Sequence, residues 1–291
     1  MIYTLKNNYL QPLGMGGTFS MSFNALPKQY DNYFVESCKA AKEVYDLKQG
    51  KLYILYSGGV DSEYALSIFL SLGMDITPVI INLNPCYNDF DIKYAIDFCN
   101  EKNITPLIIN LDFDQFVKSG KFLEVSKICR SKLYHMAATA YVAEQLEGTV
   151  LLGDGEPYIK KNNNSWDIHI DEHDFAVWNY FVAKGIHGTT HFNRFTPEMF
   201  LSFLSDSRMI DLASNKIHGK LGSNSSKFII YNRDSNFNLK ERPKYHGYEK
   251  IEKSEIFQHD DFCELEIIGK EWNGVYSKNY FEFMQQFTQL V

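Results

Sequence analysis

Leu52-Tyr53-Ile54-Leu55-Tyr56-Ser57-Gly58-Gly59-Val60-Asp61-Ser62-Glu63-Tyr64-Ala65-Leu66 contains two apolar runs of different period, joined by a glycine turn. The first run, Leu52 to Tyr56, has the length and aromatic, branched character of a buried strand. Beyond the turn, Ala65, Leu66, Ile68, Phe69 and Leu72 recur at helical spacing, so Glu63 to Leu72 reads as a helix. A turn that ends a strand and opens a helix directs backbone N–H groups and the positive end of the helix dipole at an anion. Gly58 and Gly59 let the backbone approach such an anion closely. Ser57 and Ser62 add hydroxyl donors, and the Asp61 carboxylate suits a magnesium ion held against a polyphosphate. No Lys follows Gly59, which disfavours the Walker type of phosphate loop. The structural alternative is a tight turn with two serine caps. The five fixed letters of Ser-Gly-Gly-x-Asp-Ser arise by chance about once in a few thousand chains of this length, so the pattern is specific.

Working outward, the alternation continues. Strands are expected at Thr77 to Leu83, Thr105 to Leu111 and Thr149 to Leu152, and helices at Asp89 to Lys102 and Ser131 to Glu147. Alternating units imply a parallel sheet, whose ligands sit beyond the carboxyl ends of its strands. Those ends carry Ser57 to Ser62, Asn82 to Asn84 and Gly153 to Glu156. A helix also precedes the first strand, from Tyr30 to Leu47, while residues 1 to about 28 suggest short strands and turns. The Gly14 to Gly17 cluster there reads as a turn, with phosphate binding the alternative. Thr196-Pro197-Glu198 is a helix start, placing Phe200, Phe203 and Leu204 in a core.

The Ser57 to Ser62 segment resembles the PP-loop of the N-type ATP pyrophosphatases, which include asparagine synthetase, GMP synthetase, NAD synthetase and the tRNA thiouridylases. The resemblance covers residues 51 to about 156. It implies an α/β fold, a five-stranded parallel sheet with helices on both faces, of the adenine nucleotide alpha hydrolase type, followed here by a mainly helical C-terminal lobe. It also implies ATP and Mg2+ as ligands, cleavage between the alpha and beta phosphates, and an adenylated intermediate. By that match Ser57, Gly58, Gly59, Asp61 and Ser62 hold pyrophosphate and magnesium, while Ile81, Asn82 and Leu83 flank adenine. Leu151 to Glu156 is similar to the Gly-acid-Gly segment of the synthetase domain of asparagine synthetase. That match makes Gly153 and Asp154 nucleotide-binding and Asp154 and Glu156 metal ligands; read without it, the two carboxylates equally suit a helix cap or a turn. Ser226-Lys227 and Arg242 to Glu249 resemble the C-terminal part of asparagine-synthetase-like proteins, phage-encoded ones among them. Apart from that resemblance, Lys227, Arg233, Arg242 and Lys244 form the most basic stretch of the chain, and Lys227, Arg242 and Lys244 are candidate catalytic cations for the charge that builds on phosphorus, with a solvated basic loop as the alternative.

The totals bound this reading. With 45% apolar residues, 22 Phe and 19 Tyr in 291 residues, the composition is that of a globular protein with an aromatic interior. A net charge of −7 disfavours nucleic acid as a partner without excluding it. No apolar run approaches bilayer length and no leader is evident, so the expected location is the cytoplasm, that of the host if the chain is phage-encoded. Five cysteines without a CxxC pair read as reduced thiols. Cys129, beside Arg130 and before the expected 131–147 helix, is the one cysteine placed for a lowered pKa; a structural thiol is the favoured reading and a sulfur carrier the alternative.

Asp167, His169, Asp171 and His173 alternate on one strand face, spaced too widely to share one metal ion, and read as a solvent-facing polar edge. His187 and His191 flank Gly188-Thr189-Thr190, too poor a helix for a zinc motif. Three regions are expected: 1–48 packing on the core, 49–160 carrying the nucleotide, and 161–291 as a substrate lobe. The leading reaction is adenylation of a carboxylate or amide oxygen, then amination. Residue 2 is Ile and the chain is short for an added glutaminase, so ammonia or an amine is expected from solution or a separate donor. A small-molecule substrate is the expected partner, with a homodimer open. Sulfur transfer to a nucleobase and a silent ATP-binding module are the alternatives.

Overall fold

A computed structural model describes residues 10–13, 20–23, 29–217, 220, 227–243 and 249–288. The Gly14 to Gly17 cluster, Ser226 and Lys244 lie outside the described residues. The strands are β1 Leu10–Leu13, β2 Ser20–Phe23, β3 Lys51–Leu55, β4 Thr77–Asn84, β5 Leu107–Asp112, β6 Gly148–Leu152, β7 Tyr158–Asn162, β8 Ser165–Asp171, β9 Gly188–Thr189 and β10 Val275–Asn279. The helices up to residue 184 are α1 Tyr33–Leu47, α2 Val60–Ser71, α3 Asp89–Glu101, α4 Phe113–Lys118, α5 Lys121–Cys129, α6 Tyr134–Ala143 and α7 Ala176–Lys184. They continue as α8 Pro197–Leu204, α9 Met209–Ala213, α10 Phe228–Tyr231, α11 Glu249–Glu252, α12 Asp260–Ile268 and α13 Tyr280–Thr288.

The central sheet is five-stranded and parallel, in the order β5-β4-β3-β6-β9. Its inner strands β3, β4 and β6 are apolar on both faces because helices cover both, and their successive side chains alternate between two cores, while the edge strand β5 leaves Leu107 and Ile108 exposed. Leu52, Ile54, Ile80 and Leu151 point into one, with buried residues of α1, α2, α3 and α8. Leu55, Val79, Leu83, Val150 and Leu152 point into the other, with α4 to α7 and α12. Thr196 caps α8 by accepting from the Met199 N–H at 3.2 Å, Pro197 opens it, and Phe200, Phe203 and Leu204 are buried, as expected.

Beyond residue 160 the chain is mainly helical but also contributes to the central sheet, since β9 supplies the fifth strand and α7 packs on one face. The segment read as one helix from 131 to 147 is shorter, α6, and two further helices precede it. Apolar spacing alone ran Ser131 and Lys132 into the helix, whereas the chain turns through Arg130, at φ 52°, before α6 begins. A second, antiparallel sheet has the order β10-β8-β7, so β8 is its centre and not a solvent-facing edge. Asp167 on β8 is buried and accepts from Asn162, Ser165 and Ser277, so this polar face is bonded internally. Among the described residues no helix is long and apolar enough to cross a membrane.

Candidate active site

The strand order fixes where a ligand can sit. From β3 the chain crosses to β4 and then β5 on one side, and returns to β6 on the other. The crevice at the carboxyl ends of β3 and β6 is therefore the point at which the sheet's winding reverses, the usual ligand position in open α/β sheets. Both glycine-acid segments emerge there, because Leu55 is paired with Leu152 and each segment begins one or two residues later.

Gly58 has φ 81°, and a Cβ on it would lie 2.5 Å from the Asp91 carbonyl and 3.0 Å from the Ala95 nitrogen. Close packing of the turn on α3 therefore demands glycine at this position. Gly59 is the N-cap of α2. The first helical bond runs from the Glu63 N–H to the Gly59 carbonyl at 3.0 Å, which leaves the N–H groups of Val60, Asp61 and Ser62 without intrahelical acceptors. The Ser57 and Ser62 hydroxyls are 3.1 Å apart, and Ser62 donates to the Gly59 carbonyl at 3.0 Å. The turn thus presents first-turn amides and a hydroxyl pair on the crevice side of a buried helix.

Asp61 is the convergence point. Its Oδ1 accepts from the Tyr231 hydroxyl at 2.6 Å and its Oδ2 from Lys227 Nζ at 3.0 Å. Lys227 also binds Glu156 Oε1, so one ammonium bridges the carboxylates of the two segments. The second Glu156 oxygen is buried and has no hydrogen-bond partner among the described residues. Burial, and then the Asp61 charge, push the Tyr231 hydroxyl far above its ordinary range, so it remains a donor. Asn193, fully buried, ties the parts together. Its side chain donates to the Gly153 carbonyl at 3.3 Å and the Asp61 carbonyl at 3.4 Å, and its N–H donates to the Asp154 carbonyl at 3.1 Å.

The remaining expected site residues divide. Arg242 Nη2 binds the buried Glu63 at 2.5 Å and its guanidinium lies 4.8 Å from the Tyr94 ring centroid, on the flank of α2 and α3. Asp154 is exposed and accepts from the Gly155 N–H at 2.8 Å. Gly153 packs β6 onto the first turn of α2, since a Cβ there would lie 2.7 Å from Ser62 Cα. Leu83 points into the core, Asn82 donates to Asn110 Oδ1 at 2.7 Å, and the Ile81 carbonyl accepts from Asn88 at 2.8 Å. Arg233, from the same basic stretch, binds Asp206 at 3.2 Å instead of the loop. Sequence reading missed Tyr231, Asn193 and Glu63. Tyr231 sits in the apolar run Phe228 to Tyr231, and no local pattern marks Asn193.

Cys129 is a structural thiol, the favoured reading, and only the helix start expected beside it is corrected. It ends α5 instead of starting a helix, is fully buried, and burial pushes its thiol up to about 12. An apolar site stabilises the neutral thiol, which is the opposite of what a sulfur carrier needs. In the native protein a thiol reagent at neutral pH is expected to modify the exposed Cys86 and Cys263, with Cys129 reacting only after unfolding; peptide mass mapping would show this, and rapid labelling of native Cys129 would reinstate it as a carrier.

The histidine clusters are also placed. The turn after β8 brings ligand atoms of Asp171, His173 and Asp174 within 4.8 Å of one another, which a straight strand does not. Asp171 is already held by His169 at 2.9 Å and by Tyr158, and Asp174 lies 3.7 Å from Arg194. His187 binds Thr149, and the buried His191 lies 2.6 Å from the Asp174 carbonyl; Gly188 and Thr189 form β9, so no zinc helix exists between the two histidines.

No protein-family model matches the chain, and no curated protein does. Among solved structures, an NMN synthetase from Francisella tularensis is similar at 15% identity, covering 74% of this chain and 100% of that one, with a TM-score of 0.32. A likeness at that level adds nothing to the reading of the site.

Proposed function

We propose that the protein is an ATP-dependent, AMP-forming ligase that adenylates a carboxylate or amide oxygen and passes the activated group to ammonia or an amine. The observation that carries this is the meeting of Ser57–Ser62 and Gly153–Glu156 at the reversal point of the sheet, with Asp61 and Glu156 joined through Lys227. The donor set fits a magnesium polyphosphate. First-turn amides and two hydroxyls suit the departing phosphates, and two carboxylates with one buried oxygen unengaged suit a hard cation. Asp61 and Glu156 would hold Mg2+, which when bound offsets the charge of the phosphates.

The acceptor oxygen attacks the alpha phosphorus, the bond to the bridging oxygen breaks, and pyrophosphate leaves with its electron pair. The amine then adds to the activated carbon and AMP departs. In this scheme the amides of Val60, Asp61 and Ser62 bind the leaving group. Tyr231 orients Asp61, and Lys227 turns from the carboxylates to the phosphorus oxygens as charge builds there. An amidoligase of the asparagine synthetase kind, with nitrogen supplied from outside the chain, is the specific form we favour. Sulfur transfer loses its support with the burial of Cys129.

The test is incubation of the protein with alpha-labelled ATP, Mg2+ and panels of acids, amines and nucleosides. AMP is expected with an acid and an amine together; ADP as the product would exclude the proposal. A narrower test concerns Lys227, whose ammonium sits where a divalent cation would compete. Lys227→Met is expected to bind Mn2+ severalfold more tightly without nucleotide, measured from free Mn2+ by paramagnetic resonance, while forming AMP more slowly. Unchanged Mn2+ affinity would mean that the metal is held elsewhere.

A further inference from the structure

Strand β3 stops at Leu55 while β4 runs on to Asn84, so the end of β4 loses its neighbour on one side. The last bond between them runs from the Tyr56 N–H to the Val79 carbonyl at 2.8 Å. In a parallel ladder, residues two apart direct their N–H and C=O groups to the same side. The Ile81 carbonyl and the Leu83 N–H therefore face the gap left by β3, beside the Ser57–Ser62 turn. Backbone groups in such a place need partners.

One side chain satisfies both. The Leu83 N–H donates to Asn88 Oδ1 at 2.8 Å, and Asn88 Nδ2 donates to the Ile81 carbonyl at 2.8 Å. Asn88 precedes α3, where an Asn side chain ordinarily caps the helix, yet here it makes no cap bond and turns back to the strand. Its carboxamide offers a donor and an acceptor attached to one carbon. Adenine offers the same pair on one edge, its exocyclic N–H donor and the adjacent ring nitrogen, also joined through one carbon. Guanine places the acceptor on the exocyclic atom and the donor on the ring, so with its phosphates held in the same turn it meets these two peptide groups in the wrong order.

We infer that the Asn88 carboxamide holds the place of the adenine base, keeping the Ile81 and Leu83 peptide edge paired until ATP enters and displaces it. Asn88 is then a specificity-determining residue whose side chain must leave for the base to bind, and it lowers affinity for any nucleotide that cannot replace both of its bonds. The inference rests on the ATP reading of the site and goes beyond it in naming the group that ATP displaces.

The experiment compares wild type, Asn88→Ala and Asn88→Ser by calorimetric titration with Mg-ATP, Mg-GTP and magnesium tripolyphosphate. Alanine removes the competitor; serine is too short to bridge the Leu83 N–H and the Ile81 carbonyl but can cap α3, and serves if the alanine variant does not fold. ATP is expected to bind roughly tenfold more tightly to either variant, since displacing one or two modest hydrogen bonds no longer opposes it. Tripolyphosphate and GTP affinities are expected to stay as in wild type. ATP affinity that is unchanged or weaker, with tripolyphosphate binding intact, overturns the role of Asn88 alone, as does an equal gain for GTP. Failure of the wild type to bind both ATP and tripolyphosphate overturns the phosphate-loop reading and this inference together.

Discussion

Asp61→Asn is expected to reduce magnesium-dependent AMP formation roughly 10^2- to 10^3-fold, the usual loss when a preorganised charge at a reacting phosphate is removed. The amide is isosteric and can still accept the Tyr231 hydroxyl bond, so the fold has no reason to fail. What disappears is the negative charge that Lys227 meets at 3.0 Å and that a magnesium ion would meet in its place. The pair is partly exposed, about a quarter on each side, and its own contribution to stability is small, on the order of 1 kcal/mol or less. The result to look for is therefore a separation: a near-normal melting temperature with AMP formation lost and ATP affinity no longer raised by Mg2+. AMP formation at the wild-type rate would remove Asp61 from the chemistry.

The parts of this molecule legible in the sequence were those written locally. A strand, glycine turn and helix within fifteen residues fixed the centre of the sheet, and four of its five strands follow from short apolar runs between turn residues. The fifth, Gly188–Thr189, is two residues long and carries no periodicity from which to read it. The same limit explains the site. Ser57 to Ser62 and Gly153 to Glu156 announce themselves at strand ends, whereas Tyr231, Asn193 and Glu63 matter because tertiary packing carries them to Asp61, Gly153 and Arg242. Lys227 stands out in the sequence as part of a basic stretch and is brought to Asp61 across 166 residues; Arg242, marked in the same way, binds the buried Glu63 instead. At Cys129 an adjacent arginine and a helix expected to begin at residue 131 imitate an activating environment, while burial at the end of α5 acts in the opposite sense and leaves the structural thiol.

Gly153→Ala is expected to destabilise the fold by about 3 kcal/mol, and the argument turns on what the new methyl group would meet. Its Cβ would lie 2.7 Å from Ser62 Cα, 2.8 Å from Ala65 Cβ and 3.0 Å from the Asp61 carbonyl, none of which is the tip of a flexible side chain. Relief requires β6 and the first turn of α2 to part by several tenths of an ångström, an overpacking cost at the high end of the usual range. For a chain of this size that loss lowers the melting temperature by roughly 6 to 12 °C. The same parting draws Asp61 away from Glu156, so the folded fraction should also form AMP more slowly. Gly59→Ala provides the contrast, because its Cβ would meet nothing closer than the Ser57 hydroxyl oxygen at 3.3 Å. That substitution should cost less than about 1 kcal/mol of stability, yet it places a methyl group on the turn that is to receive the phosphates and should weaken binding of Mg-ATP and tripolyphosphate alike. Calorimetric melting and titration of the two variants side by side would separate the glycine that holds the turn in place from the one that keeps it open. Equal stability losses in both would show that the turn's openness is a matter of packing alone, and would remove the phosphate-binding reason for glycine at position 59.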